Sequence, residues 1–189
     1  MLPSYIKKFL KAHPTVNVHV EYRRANQVTE DVLGNVVDLG MVAYPARDAK
    51  LEIIPLKKEP MVLICHPQHA LARQESIKLK ALNGVKFVGF EADIPTRKAL
   101  DRILKDFGVS VDYVMQFDNV ETVKRAVEID CGVAIVPLAT IKQEVSNQTL
   151  AAVKLEEGDF HRPIAIVYKK SRVLSPAMKK FVTLLKENA

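Results

Sequence analysis

Between Phe117 and Pro137 the chain reads FDNVETVKRAVEIDCGVAIVP, and this stretch constrains the fold more than any other. Asp118 or Asn119 can cap a helix, because a short side-chain oxygen accepts one of the free N–H groups of a first turn. Val120, Val123 and Val127 then recur at helical spacing, with Glu121 and Glu128 at its ends. Gly132 is expected to stop that helix in a left-handed conformation. Val133 to Val136 is an unbroken apolar run, the mark of a strand covered on both faces, and Pro137 closes it. Strand, helix and strand in this order make a parallel crossover. Such a unit leaves helix N-termini at the carboxyl edge of a sheet, where α/β proteins bind ligands. A small-molecule site is therefore expected at this edge.

The rest of the chain repeats the alternation of helix and strand. Residues 3–12 place Ile6, Phe9 and Leu10 opposite Lys7, Lys8 and Lys11, a helix that His13 and Pro14 end. Residues 16–22 alternate apolar and polar side chains and are expected to form a strand with one buried face. Asn26 or Thr29 opens a helix running to Gly34, and residues 38–43 form a short buried strand. Residues 51–56 and 61–65 read as two strands around a turn, followed by a loop at 66–71 and a short amphipathic piece at 77–82. A strand at 85–90, a helix at 96–107 stopped by Gly108, and a strand at 111–117 lead into the central stretch. A helix at 138–145, a strand at 150–155, a turn at 156–160 and a strand at 163–168 follow it. Ser175 and Pro176 start a last helix with Met178, Phe181, Val182 and Leu185 on one face.

Composition narrows the function. The 189 residues carry a formal net charge of +6, but the basic side chains are scattered and often adjoin acids, as at Lys57, Lys58 and Glu59. A nucleic-acid reader needs a basic stripe with base-reading side chains, and none is visible. Cys65 and Cys131 sit in apolar surroundings and read as reduced thiols. No apolar leader appears, nor any run near the roughly 20 residues that span a bilayer, so a cytoplasmic protein without membrane contact is expected. His66 and His69 lack the third and fourth ligands a zinc site needs. No nucleophile elbow, phosphate-cradling glycine loop or paired-carboxylate site occurs. The sequence therefore predicts no catalytic residues, no metal and no cofactor.

Several motifs, taken in order, carry a resemblance. They are Leu2 and Pro3 with Phe9, His13 and Pro14; residues 37–42; Pro55, Leu56 and Glu59 with residues 63–67 and 70–72; residues 117–122; residues 132–137; Arg162 and Pro163 with Tyr168 and Lys169; and Ser175, Pro176, Ala177 and Phe181. In this order the chain resembles the effector-binding domain of LysR-type transcriptional regulators, without their N-terminal winged helix-turn-helix. The resemblance implies an α/β fold of two Rossmann-like lobes, similar to type II periplasmic binding proteins and joined by two crossover strands. Lobe I is expected at 1–66 plus 163–189, and lobe II at 67–162. The family's domain opens with a strand before its first helix, and here the sequence opens on the helix, so either the chain was cut ahead of that helix or the strand is absent. The resemblance also implies a small polar or anionic effector between the lobes, a homodimer, a tetramer at full length, and DNA contact only through the absent N-terminal domain.

Loops after strand ends supply the effector-site residues. They are Asn26 and Gln27, Tyr44 and Pro45, Pro95, Thr96 and Arg97, Asn119, and Pro137. Thr96 and Asn119 lie where helices begin and suit an anion, or act as plain caps. Arg97 suits a carboxylate, or an ion pair with Glu91, Asp93 or Asp101. Asn26 and Gln27 offer hydrogen bonds to a ligand or cap their helix, and Tyr44 a wall of the cleft or a surface loop. Competing functions are a solute-binding protein of the same architecture, a small enzyme on this fold, and an oligomerisation domain with no effector.

Overall fold

The computed structural model describes residues 2–157 and 160–187. Chain order gives α1 (Leu2–Ala12), α2 (Ala25–Leu33), β1 (Gly40–Ala43), β2 (Leu51–Cys65), β3 (Ser76–Ile77), β4 (Lys86–Phe90), α3 (Pro95–Asp106), β5 (Asp112–Phe117) and α4 (Val120–Glu128). Then come β6 (Ala134–Pro137), α5 (Lys142–Ser146), β7 (Ala151–Leu155), β8 (His161–Lys169) and α6 (Pro176–Glu187). The chain divides into two compact units, residues 1–57 with 163–189 and residues 58–162. The sequence reading put the first crossing after residue 66. The units divide inside β2, between Lys57 and Lys58, within one continuous strand.

In unit 1, β8 pairs antiparallel with β1, Gly40 opposite Val167 and Ala43 opposite Ile164. Because successive strand residues face opposite sides, the two faces build separate cores. Val42, Leu51 and Val167 pack with Val32 of α2. Ile166 packs with Val182 and Leu185 of α6, while Leu2 and Tyr5 of α1 lie against the same cluster. Phe9 is 3% exposed and meets Phe181 edge-on at 5.0 Å between ring centroids. The Ser175 hydroxyl accepts from the Met178 N–H at 3.2 Å, the cap that starts α6.

Unit 2 follows the same logic with more sheet. β4 and β5 are parallel, and Val133 bridges Phe87 in parallel on the other side of β4. β6 pairs antiparallel with β2 from Met61 to Ile64, β7 antiparallel with β2, and β3 parallel with β7. Met61, Leu63, Cys65, Phe87, Val133 and Ile135 enter one core. Val62, Ile64, Val88, Ala134 and Val136 enter the other, against Val123 and Val127 of α4. Cys65 is fully buried, and burial, with the nearby charge of Asp130, pushes its thiol up to about 11. Cys131 is half-buried and also free.

Several expectations need correction. Residues 16–22 are not a strand: the segment has no ladder partner among the described residues. Alternation alone cannot make a strand, because its N–H and C=O groups need a neighbour. Val20 and Tyr22 are accordingly 36% and 78% exposed. The two strands at 51–56 and 61–65 are one strand, since nothing at Lys57 to Pro60 breaks the extended backbone. The 138–145 helix is a 3-10 turn at Leu138–Thr140 followed by α5. The piece at 77–82 is the end of β3 and a 3-10 turn at Leu79–Leu82.

Gly132 has a different role from the one expected. α4 ends at Glu128, and Asp130 takes the left-handed position with φ 58°. Gly132 is required by crowding instead: a Cβ there would lie 2.6 Å from the Lys86 carbonyl oxygen. Gly108, by contrast, has φ 65° just beyond α3. The turn read at 156–160 lies partly outside the described residues.

Candidate functional site

Three chain segments leave the same edge of the unit 2 sheet. β4 ends at Phe90 and leads to α3, β5 ends at Phe117 and leads to α4, and β6 ends at Pro137 and leads to the 3-10 turn. Because β4, β5 and Val133 run parallel, the starts of α3 and α4 and the residue Pro137 share one end of the sheet. The Glu91 N–H donates to the Phe117 carbonyl at 2.9 Å and ties the first two loops together.

The two helix starts differ. Asn119 caps α4: its Oδ1 accepts from the Thr122 N–H and the Thr122 hydroxyl, both at 3.0 Å. Its Nδ2 donates to Asp118 at 2.7 Å, and the side chain stays exposed. α3 begins without a side-chain cap, after Ile94 and with Pro95 in its first turn. Thr96, in the first turn of α3, is 4% exposed. A helix start of this kind presents unpaired N–H groups and the positive end of the helix dipole. Pro137 is buried, and its carbonyl accepts from the Thr140 hydroxyl at 2.7 Å.

Arg97 is buried and bonds within the unit. Its Nε donates to both Asp101 carboxylate oxygens at 2.9 and 2.8 Å, and Nη1 donates to the Phe90 carbonyl and to Gln116, each at 2.8 Å. The guanidinium lies 3.5 Å from the Tyr113 ring centre, and the Tyr113 hydroxyl donates to Asp101 at 2.6 Å. Burial, reinforced by that bond to Asp101, holds the Tyr113 phenol well above its ordinary range, although Arg97 opposes the shift. The stack needs Gly89, where a Cβ would lie 2.5 Å from the Tyr113 ring. Arg97 thus clamps the first turn of α3 onto β4 and β5.

In unit 1, Asn26 and Gln27 lie exposed in the first turn of α2, and the Gln27 side chain accepts from the Arg24 N–H at 3.3 Å. Tyr44 and Pro45 follow β1 and are half-buried. Tyr44 adopts φ 49° and donates its N–H to the Pro163 carbonyl at 3.0 Å. His66 and His69 each accept through Nδ1 from an N–H two residues on, both at 3.2 Å, which fixes their own turns. Among the described residues no group of three or more His, Cys, Asp or Glu could hold a metal ion. No helix among them is long and apolar enough to cross a membrane.

Sequence reasoning missed Lys124 and Glu144. Lys124 is 3% exposed, and its ammonium lies 2.7 Å from Glu144, 2.9 Å from Glu121 and 2.9 Å from the Thr140 carbonyl. Burial alone would lower this ammonium, but its bonds to Glu144 and Glu121 outweigh that and raise it. Burial likewise pushes the Glu144 carboxyl up, and Lys124 outweighs it and holds the group below the usual range. The signal was present, since Lys124 stands beside Val123 and Val127 on the apolar face of α4.

A parallel sheet edge collecting two helix starts is the ligand-binding end of an α/β module. The fold is that of solved effector-binding domains, which resemble type II periplasmic binding proteins. The chain belongs to the LysR substrate binding domain family, whose model matches residues 1–189. Among curated relatives, the RuBisCO operon transcriptional regulator of Allochromatium vinosum is 28% identical over 179 residues, which is 95% of this chain and 59% of the relative. The chain therefore spans about three-fifths of that relative's length. The regulatory domain of Synechocystis PCC6803 CcmR in complex with 2-PG superposes with a TM-score of 0.90 at 22% identity, covering 99% of this chain and 90% of that one. The effector binding domain of QuiR in complex with shikimate has a TM-score of 0.89 at 19% identity, covering 100% and 90%. The curated relatives are transcriptional regulators.

Proposed function

We propose that this chain is the ligand-sensing regulatory domain of a bacterial LysR-type transcriptional regulator, and that it binds a small polar or anionic metabolite in the inter-lobe cleft that the family likeness implies. The observation that carries the reading is the uncapped start of α3, with Thr96 in its first turn, at the same sheet edge as the start of α4. Unpaired N–H groups and a helix dipole favour an oxyanion there. Thr96 and Asn119 contact the effector directly in this reading, and Pro95 and Pro137 shape the loops around it. Arg97 acts through α3, which it holds in place. From unit 1, Asn26, Gln27, Tyr44 and Pro45 complete the set. The domain works as a homodimer, within a tetramer at full length, and an N-terminal domain makes the DNA contacts. A metabolite that binds one arrangement of the protein better than another then shifts transcription.

A thermal-shift panel of inorganic phosphate, sulfate, 2-PG and shikimate, widened to central metabolites, tests the reading. A ligand at about 100 times its dissociation constant adds about 2.7 kcal/mol. That is about 5–10 °C in Tm for a chain of this size. The shift is expected to disappear in Thr96→Ala and to weaken in Asn119→Ala. Silence across the whole panel would count against sensing.

A further inference from the structure

The buried ion pair of unit 2 joins two of the loops just described. Lys124 donates from the middle of α4 to the Thr140 carbonyl and to Glu144, and pairs with Glu121 in the first turn of the same helix. Those partners use the three donors an ammonium has. Thr140 in turn donates its hydroxyl to the Pro137 carbonyl. A continuous set of bonds therefore runs from the first turn of α4 to the turn that leaves β6. Burying both charges costs desolvation that apolar side chains of the same volume would avoid. The Glu144 Oε2 atom is moreover buried without any hydrogen-bond partner. The pair thus carries an avoidable cost at the place where the two loops meet.

We propose that Lys124 is a positioning residue for the effector site: it locks the Pro137–Thr140 turn to the first turn of α4, and Glu144 holds its ammonium in place. This inference rests on the sensing reading above and deepens it. Lys124 touches no effector; it sets the spacing between Asn119 and Pro137, and affinity depends on that spacing.

Two measurements on the whole chain test it. The first is hydrogen exchange without ligand. Lys124→Met is expected to speed exchange at 138–146 by about tenfold or more, because local opening free energies are set by local contacts. Residues 86–90 and 112–117 are expected to keep wild-type rates. Unchanged exchange at 138–146 in a folded variant, or equal acceleration throughout unit 2, overturns the proposal. Where Lys124→Met does not fold, Glu144→Gln serves, since it leaves the Lys124 bonds to Thr140 and Glu121 intact; the same local pattern at smaller amplitude is expected, and its absence overturns the proposal.

The second measurement is titration with the panel of phosphate, sulfate, 2-PG, shikimate and central metabolites. The folded variant is expected to bind the probe that wild type binds about tenfold more weakly, a change that lost stability alone would not produce in a fully folded sample. Wild-type binding with unchanged affinity in the variant overturns the role of Lys124 alone. Wild-type silence toward every probe overturns the sensing reading and this inference together, since no site would remain to be positioned.

Discussion

Unit 2 and unit 1 are built from the same kind of layer, yet they use it differently. In unit 2 consecutive residues of β2, Met61 to Cys65, feed two cores alternately, and Leu63, Ile64 and Cys65 are fully buried. In unit 1 the segment with the cleanest alternation, residues 16–22, lies outside every ladder among the described residues and exposes Val20 and Tyr22. The difference teaches that side-chain pattern and backbone pairing are separate requirements, and that burial follows only where both are met.

The largest expected break of this contrast comes from Phe87, which is 1% exposed and stacks edge-on with Tyr113. Phe87→Ala is expected to cost about 3–5 kcal/mol, read as a lower denaturation midpoint. Gly132→Ala is expected to cost about 2–3 kcal/mol, because its Cβ must push the Lys86 carbonyl aside; urea unfolding would measure it.

Glu144→Gln is expected to cost about 2 kcal/mol at pH 7, from a weakened bond to a charged donor. Here the sign with pH is definite. The Glu144 carboxyl is held below its ordinary value in the folded protein, so its contribution is full at neutral pH and is lost as pH falls through that lowered value. Melting curves of wild type and variant should therefore converge in acid.

The two caps sharpen the comparison at smaller scale. Asn119→Ala in unit 2 and Ser175→Ala in unit 1 each remove one side-chain bond to a helix N–H, and each is expected to cost about 1 kcal/mol. Equal losses in calorimetry would show that capping is local and indifferent to the surrounding core. Smallest of all, Tyr22→Ser is expected to change stability by less than about 0.5 kcal/mol, as exposed positions outside any packing do. A larger loss would mean that residues 16–22 are held by contacts that their exposure does not reveal.

Much of unit 2 was legible because its signals are local. The cap at Asn119, the apolar run into Pro137 and the stop at Gly108 depend on neighbours a few residues away. What stayed hidden depends on distant partners. Nothing near residues 16–22 announces that no strand among the described residues pairs with them, and nothing near Gly132 announces the Lys86 backbone beside it. Arg97 shows both cases, since its spacing to Asp101 is visible as a helical pair while its contacts with Phe90, Gln116 and Tyr113 come from folding. Lys124 was legible by position on α4, but its partner Glu144 lies beyond a strand and a turn.

The two thiols make unit 2 its own reporter. Cys65 has no exposed surface, and its thiol is pushed up to about 11, so almost none of it is the reactive thiolate at neutral pH. Cys131 is half-buried at the turn after α4. A maleimide dye added to the native protein should mark Cys131 first and reach Cys65 only when the centre of the sheet opens. With no Trp in the chain to compete, the first label becomes a clean optical signal near α4. The rate of the second becomes a clock for how often the core of unit 2 comes apart.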